Sequence, residues 1–415
     1  MPATPASAAE RAGNTGESDY RCAGRCSPEV TVALPAALPA APLDLPVASL
    51  DLPAPAPSPA RRWVPRRVLV TRSAYGFAHG RDIVRRCEAA GVGDIELLRG
   101  DRLPPIAPGA DPRQAYALAK GTLAVTVAPP SKLVPQPIPP SADWRFDLAE
   151  GCPAHCQYCY LAGSLGGPPI TRVFANLDEI LARLDDRVGQ GGVTSGTDAR
   201  GGEGTTFEAS CYTDPLGIEH VTGSLARTVT HFGTHDWAGP VQLRFTTKYD
   251  DVAPLLTLPH HGRTRVRVSV NAPAVADRFE GGTARLPRRL AALRALALAG
   301  YPVGLTIAPV MPVEGWRDGY GALLAAVHDA LDGVPAPDLT VELITHRFTP
   351  RSKEVLLGWY PRTKLEMDED LRRQKRGRFG AVKHVYPAPV MHELRSWFDG
   401  AIAEHLPAAR VLYWT

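Results

Sequence analysis

The segment Trp144-Arg-Phe-Asp-Leu148-Ala-Glu-Gly-Cys152-Pro-Ala-His-Cys156-Gln-Tyr-Cys159 carries three cysteines, spaced x3 and then x2, shortly after a strand-like run. Iron–sulfur clusters are usually held by four cysteine thiolates. Three thiolates on a four-iron cluster leave one iron open to bind another molecule. The spacing therefore predicts a 4Fe–4S cluster that takes part in chemistry rather than in electron storage alone.

Zinc is the alternative occupant of this cysteine segment. Structural zinc sites usually have four ligands, and His155 is a candidate for the fourth. The x3 and x2 spacing after a strand favours iron–sulfur over zinc. The chain has seven cysteines, unevenly spread, which favours a metal site over a disulfide framework. Cys22 and Cys26 form a second close pair, but no further ligand residues lie near them.

Strand-like and helix-like segments alternate from residue 143 onward. The six strand-like segments are 144–148, 205–210, 241–246, 265–270, 303–308 and 339–344. The helix-like segments are 177–188, 218–232, 286–299 and 320–331, with a short one at 252–256. Such alternation is typical of parallel βαβ units. It predicts an α/β fold, a partial (β/α)6 TIM-type barrel whose chemistry lies at the C-terminal ends of the strands.

The chain is predicted to divide into four parts. Residues 1–62 are rich in Pro, Ala and Ser, which favours a disordered tail. Residues 63–142 form an N-terminal α/β extension, in which the proline-rich stretch 107–143 is expected to be an extended connection. Residues 143–346 form the barrel with the 4Fe–4S site, and its glycine-rich segment 189–204 is expected to be a flexible surface insertion. Residues 347–415 form a C-terminal segment.

Composition limits the function classes. The chain has 415 residues, is 44% apolar and carries a net charge of +3. This charge is too small to identify a nucleic-acid-binding protein, although basic residues can cluster on one face. No apolar run reaches the about 18 residues of a transmembrane helix, and the N-terminus lacks the features of a signal peptide. We therefore expect a cytoplasmic protein with no membrane contact.

The cysteine spacing after the first strand of an incomplete barrel resembles the radical S-adenosylmethionine superfamily. Within it, segments along the chain resemble the spore photoproduct lyase family, from about residue 64 to the C-terminus. These segments include Phe207-Glu-Ala-Ser-Cys-Tyr-Thr-Asp214, Arg244-Phe-Thr-Thr-Lys-Tyr249, Glu342-Leu-Ile-Thr-His-Arg-Phe348, Tyr360-Pro-Arg-Thr-Lys364 and the ending Val411-Leu-Tyr-Trp-Thr415.

The resemblance implies repair of UV-damaged DNA. The expected reaction returns the spore photoproduct (5-thyminyl-5,6-dihydrothymine) to two thymines through a 5′-deoxyadenosyl radical derived from S-adenosylmethionine. The implied partners are the lesion-bearing DNA and an electron donor such as flavodoxin or ferredoxin, with the enzyme a monomer or weak dimer. Two alternatives stay open: a radical enzyme acting on another nucleic-acid or small-molecule substrate, and an iron–sulfur DNA-binding protein without turnover.

The resemblance also assigns catalytic residues. Cys211 matches the cysteine that returns a hydrogen atom, and its position at the end of the second predicted strand agrees with that role. The alternative for Cys211 is a buried packing residue. Tyr158 and Tyr160 match two tyrosines that relay the radical, although aromatic residues beside a cluster also pack against it. A DNA-binding protein without turnover has no need of a hydrogen donor at Cys211.

Binding residues follow in the same way. Four residues near strand ends match the S-adenosylmethionine site: Thr213, Asp214, Lys248 and Ser269. Arg347 and Arg378, the last residue of the basic run 372–378, match family positions that approach the lesion and its phosphates. Two further candidates for the lesion and DNA site lie on the same segment as Arg378: Phe379 and Lys383. A charge run is often only a solvated face, but here it adjoins the expected pocket. Phe379 departs from the family, which has a tyrosine there, and this bears on the substrate.

Overall fold

The computed structural model describes residues 62–165, 169–192, 200–376 and 382–415. The predictions for the tail up to residue 61, for Cys22 and Cys26, and for Arg378 and Phe379 lie outside these residues. In chain order the strands are β1 (Arg67–Val70), β2 (Ile95–Leu97), β3 (Thr122–Thr126), β4 (Gln136–Ile138), β5 (Ala142–Phe146), β6 (Ala149–Glu150), β7 (His155–Cys156), β8 (Thr171–Phe174), β9 (Thr205–Ala209), β10 (Val241–Thr247), β11 (Thr264–Val270), β12 (Glu280–Gly281), β13 (Val303–Val310), β14 (Leu339–Thr345), β15 (Arg373–Arg376), β16 (Val382–Val385) and β17 (Arg410–Trp414).

Helices connect most of these strands. In chain order they are α1 (Arg72–Gly76), α2 (Ala78–Ala89), α3 (Pro112–Lys120), α4 (Pro130–Leu133), α5 (Leu177–Ala182), α6 (Glu219–Thr222), α7 (Ser224–Thr234), α8 (Pro273–Phe279), α9 (Leu286–Leu298), α10 (Trp316–Leu331), α11 (Pro350–Trp359) and α12 (Ala388–His405). In the part of the chain that the structure describes, none of the helices has both the length and the apolar character needed to cross a membrane.

An eight-stranded sheet forms the curled half-barrel, in the order β17-β14-β13-β11-β10-β9-β5-β4. All neighbours from β5 to β17 are parallel, and β4 is antiparallel to β5. The six predicted strands are therefore confirmed, and they lie side by side in chain order. The C-terminal strand β17 adds a seventh parallel strand that the sequence analysis did not include.

A second sheet lies in the N-terminal part, in the order β2-β1-β3-β8-β6. The prediction that 107–143 is an extended connection is wrong, because this stretch holds α3, β3, α4 and β4. Its prolines begin helices instead of preventing them. Pro112 lies in the first turn of α3, after an Asp111 side chain that accepts from the Arg113 and Gln114 backbone N–H groups. Proline is well suited to that position because its missing N–H has no helical partner there.

Charged side chains fill the middle of the half-barrel. Arg244 and Arg267 each approach the Glu342 carboxylate, at 3.0 and 2.8 Å, and Arg267 also lies 2.6 Å from Glu208. The four residues, together called the interior ion-pair network, are all at least nine-tenths buried. Alternation on β11 places Arg265, Arg267 and Ser269 on the opposite face of the sheet from Val266, Val268 and Val270, and these valines belong to the hydrophobic core.

The glycine-rich segment 189–204 differs from its prediction where it is described. Arg200 is buried and donates to the carbonyl oxygens of Pro140 and Ser141, at 2.9 and 3.0 Å. It also pairs with Glu203 at 2.9 Å. The C-terminal end of this segment is therefore packed into the fold rather than a surface insertion.

Candidate functional site

The cysteine loop begins at a glycine that no other residue can replace without strain. Gly151 has φ +78°, and a Cβ there would lie 2.0 Å from the Ile170 carbonyl oxygen. Left-handed backbone of this kind favours glycine. The loop is then fixed by pairing of β7 with β12, where Cys156 lies opposite Glu280. Backbone pairing on both sides of Cys152 thus defines the course of the loop.

The three loop cysteines line one pocket with Gly151, Leu161 and Trp359. Burial raises the pKa of the Cys152 thiol to about 11 and also raises the pKa of Cys156. Among the described residues, no set of three or more His, Cys, Asp or Glu side chains is placed to hold a single metal ion. The thiols instead border a shared, poorly hydrated space, and metal binding there replaces their protons.

Helix α3 supports this loop, which the sequence analysis missed. The Lys120 ammonium donates to the carbonyl oxygens of Cys152 and Ala154. Tyr116, one turn earlier, hydrogen-bonds His155 Nδ1 at 2.9 Å and also contacts the Tyr360 hydroxyl. One ring nitrogen of His155 is therefore engaged within the protein. The Asp111-Pro112 start signal of α3 was present in the sequence and could have located these residues.

Cys211 follows β9 at the C-terminal end of the half-barrel. The turn before it has Ser210 in left-handed backbone, with φ 57°, and the Ser210 hydroxyl accepts from the Leu148 N–H at 2.9 Å. The Cys211 sulfur accepts a hydrogen bond from Arg145 Nη1 at 3.8 Å. Burial, followed by the nearby Asp147 carboxylate, raises the pKa of Cys211 to about 12. The thiol is therefore protonated at neutral pH.

The two candidate relay tyrosines face different groups. Tyr158 donates to the Glu280 carboxylate, and its ring lies 5.8 Å from the Lys248 ammonium. Tyr160 is 61% exposed. Its phenol lies near the Cys211 and Cys159 thiols, and surrounding protein, followed by these thiols, raises its pKa. The structure thus brings Tyr160, rather than Tyr158, toward the candidate hydrogen donor.

The predicted S-adenosylmethionine residues form one group. Lys248 Nζ donates to the Ser269 hydroxyl at 2.6 Å. Asp214 accepts from the backbone N–H of Lys248 at 2.7 Å and of Gly217 at 3.3 Å. Burial raises the pKa of Asp214 to about 6, against those hydrogen bonds. Asp214 therefore joins two strand ends, in addition to any contact with a ligand.

Two hydroxyls, one within this group and one next to it, are buried without a hydrogen-bond partner. Thr213 Oγ1 and the Tyr249 hydroxyl are shielded from solvent and form no hydrogen bond within the described chain. Tyr249 lies near the Cys152 thiol and the Asp214 carboxylate. Buried polar groups are normally hydrogen-bonded. These two hydroxyls are thus available to a polar ligand bound next to the cysteine pocket.

The basic run is a β-hairpin rather than a helix face. Strands β15 and β16 pair antiparallel, with Lys375 directly opposite Lys383. Lys383 is exposed. Partial desolvation of its ammonium, followed by the charges of Arg347 and Lys375, lowers its pKa. Arg372 differs, since it is buried and its guanidinium lies 3.7 Å from the centre of the Tyr386 ring. Like charges opposite each other are unfavourable. Lys375, Lys383 and the nearby Arg347 therefore form a site of positive potential.

Comparison with known proteins supports the same site. The family model for spore photoproduct lyase matches residues 63–415. The spore photoproduct lyases of Bacillus subtilis and Geobacillus sp. are each 38% identical over 353 residues, which is 85% of this chain and 99% of each relative. That of Clostridium acetobutylicum is 32% identical over 348 residues, 84% of this chain and 98% of the relative.

Solved structures match over a similar extent. Spore photoproduct lyase complexed with dinucleoside spore photoproduct is 36% identical, with a TM-score of 0.77, and covers 86% of this chain and 100% of that chain. A mutant spore photoproduct lyase with bound AdoMet and dinucleoside spore photoproduct has the same identity, TM-score and coverage. The sequence match, the fold match and the cysteine loop agree, and this chain belongs to the spore photoproduct lyase family.

Proposed function

We propose that this protein is a radical S-adenosylmethionine lyase that returns the spore photoproduct in DNA to two thymines. The observation that carries the proposal is the position of the Cys211 thiol just beyond the C-terminal end of β9, with Tyr160 near it and Cys159 of the cysteine loop near Tyr160. A DNA-binding protein without turnover does not require such a thiol. The solved relatives with bound dinucleoside spore photoproduct support the same substrate.

The cofactors are a 4Fe–4S cluster and S-adenosylmethionine. We propose that Cys152, Cys156 and Cys159, which line one pocket, hold the cluster. The unpartnered hydroxyls of Thr213 and Tyr249 fit a polar ligand beside it, and the Lys248 ammonium suits the ligand's carboxylate. Family membership favours the cluster over the zinc alternative. A relative with bound AdoMet supports the second cofactor.

Together the bound cofactors supply the one-electron chemistry that abstracts a hydrogen atom from the lesion. We assign the protein three tasks: holding the reactants in register, shielding them from water, and returning one hydrogen atom. In the return step the Cys211 S–H bond breaks and a C–H bond forms on the thymine methylene radical, leaving a sulfur radical. We propose that Tyr160, near Cys211, reduces that sulfur by giving up its phenol hydrogen, and that the radical then passes through Tyr158 back towards the cofactor, so that repair is redox-neutral overall.

The exposed cations of the β15–β16 hairpin are proposed to hold the DNA backbone. Lys375 and Lys383 are opposed on one face, and Arg347 lies near Lys383. Phosphate oxygens relieve the mutual repulsion of these cations. Because chemistry on a base requires access to it, we expect the lesion to leave the base stack and enter the cleft. Arg378 and Phe379 stay predictions for lesion contact, as does the effect of phenylalanine on substrate choice.

Further proposals concern partners. Reductive cleavage of S-adenosylmethionine needs an electron at the cluster, and we propose that a flavodoxin or ferredoxin supplies it. A monomer or weak dimer in the cytoplasm stays our expectation. The four-part division of the chain also stays a prediction.

Anaerobic reconstitution with iron, sulfide and S-adenosylmethionine, followed by incubation with dinucleoside spore photoproduct, tests the proposal. We expect formation of thymine pairs together with cleavage of S-adenosylmethionine. Cleavage of the cofactor without any restored thymine would contradict the assigned substrate and support a related radical enzyme. Absence of cofactor cleavage in cluster-loaded protein would contradict the enzyme class itself.

A further inference from the structure

Arg145 is placed against the candidate hydrogen donor by the register of the sheet. It lies on β5 directly opposite Glu208 of β9, and its side chain is 20% exposed. Its Nη1 donates to Cys211 Sγ at 3.8 Å. The same guanidinium lies 3.4 Å from Asp147 and 4.7 Å from the centre of the Tyr212 ring. Three contacts therefore fix one guanidinium beside one sulfur.

We propose that Arg145 is a positioning residue that holds the Cys211 sulfur so that its S–H bond is directed into the cleft. An N–H donor occupies a lone pair of the sulfur and thereby restricts rotation of the thiol hydrogen. A correctly aimed hydrogen reaches the substrate radical before competing reactions do, since small misalignments reduce rates strongly. This inference rests on the proposed role of Cys211 as donor.

A guanidinium alone would harm a hydrogen donor, because a nearby cation favours the thiolate. The side chain of Asp147, which is 4% exposed, balances that charge. Lys132 lies 3.5 Å from the same carboxylate oxygen of Asp147 that Arg145 approaches. The charged and titratable groups facing the thiol or its partners are Arg145, Asp147, Glu208, Tyr160, Tyr212, Lys132 and Glu150.

Asp147→Asn tests this charge balance through pH. The wild-type thiol, with a pKa of about 12, stays protonated between about pH 6 and about pH 9, so the fraction of clean repair should be constant there. Burial is the largest cause of the raised pKa and stays in the variant; Asp147 is the next cause, so its loss lowers that pKa and leaves two cations nearby. Clean repair by the variant should therefore decline at the alkaline end of this range, where wild type is constant, and return as pH falls. A fraction as constant as that of wild type would overturn the charge balance.

Arg145→Met tests the positioning role directly. The measurement is the ratio of restored thymine pairs to side products in cluster-loaded enzyme with dinucleoside spore photoproduct, which is independent of total turnover. We expect the side-product share to rise about fivefold, the change expected for one lost hydrogen bond. Arg145→Lys, which keeps a donor, should recover part of the ratio and serves if the methionine variant folds poorly. The matched control is Arg227→Met, since Arg227 pairs with the exposed Asp178 at 2.6 Å.

The outcomes separate this inference from the proposed function. An unchanged ratio in Arg145→Met, or reduced turnover at an unchanged ratio, would overturn the positioning role. A raised side-product share in Arg145→Met, with Arg227→Met like wild type, supports it. Cys211→Ala in parallel tests the foundation: clean repair by that variant contradicts the donor role itself, whatever Arg145 does.

Discussion

The middle of the half-barrel and the C-terminal ends of its strands differ in how their polar groups are partnered. In the middle, Arg244 and Arg267 each have a carboxylate partner within 3.0 Å inside the chain, although the Nε atom of each guanidinium forms no hydrogen bond in the described ranges. At the strand ends, the hydroxyls of Thr213 and Tyr249 are shielded but unpartnered. The same strands supply the residues of both regions. The comparison teaches that charge alone does not identify a site, because the most charged region holds the fold while the incomplete region suits a ligand.

The largest expected effect lies at the cysteine loop. Cys159→Ala should abolish stable binding of the 4Fe–4S cluster and all repair, because two thiolates cannot replace three on the same pocket. Iron and sulfide content and visible absorption after reconstitution measure this. Cys87→Ala is the matched control, since Cys87 is fully buried on α2, outside the cysteine pocket. A Cys159→Ala protein with a full cluster would contradict the assignment.

The second effect breaks the interior ion-pair network. Glu342→Gln leaves Arg244 and Arg267 short of a fully buried carboxylate and should lower the free energy of unfolding by about 3–5 kcal/mol. Urea denaturation of the apo-protein measures it. Glu354→Gln, in an exposed pair with Arg351, should leave the midpoint unchanged. If both variants unfold at the wild-type midpoint, the network does not hold the fold.

The smallest effect concerns DNA affinity. Lys375 and Lys383 form the opposed pair of the hairpin. Replacing either with alanine should reduce the magnitude of the slope of log affinity against log salt by about 1, the change expected for one lost phosphate contact. Binding of a duplex oligonucleotide at several salt concentrations measures this. Arg85→Ala, on the exposed face of α2 and paired with Asp82, is the control and should keep the wild-type slope. Equal slopes in all three variants would remove the hairpin from the DNA site.

How far the sequence predicts this molecule depends on the kind of signal. The alternation of strands and helices is local, so all six barrel strands were predicted near their observed bounds. The family resemblance was confirmed by the match over residues 63–415. The prediction for 107–143 was wrong because its many prolines suggested an extended connection, whereas Pro112 begins α3.

Other features depend on tertiary register and have no local signal. Arg145 becomes a partner of Cys211 because β5 pairs with β9 and brings residue 145 opposite residue 208. The alternation of arginine and valine on β11 resembles a surface strand, yet Arg267 is buried, because Glu208 of β9 and Glu342 of β14 supply carboxylate partners. Lys375 becomes a candidate DNA-binding residue only because the hairpin places it opposite Lys383. The assigned roles of individual site residues stay predictions until variants are measured.

The most direct test of the central claim compares wild type with Cys211→Ala on dinucleoside spore photoproduct, with cluster content matched beforehand. We expect the variant still to cleave S-adenosylmethionine and consume the lesion, but to yield trapped side products in place of thymine pairs. Thymine pairs formed by Cys211→Ala in the wild-type proportion would contradict this expectation.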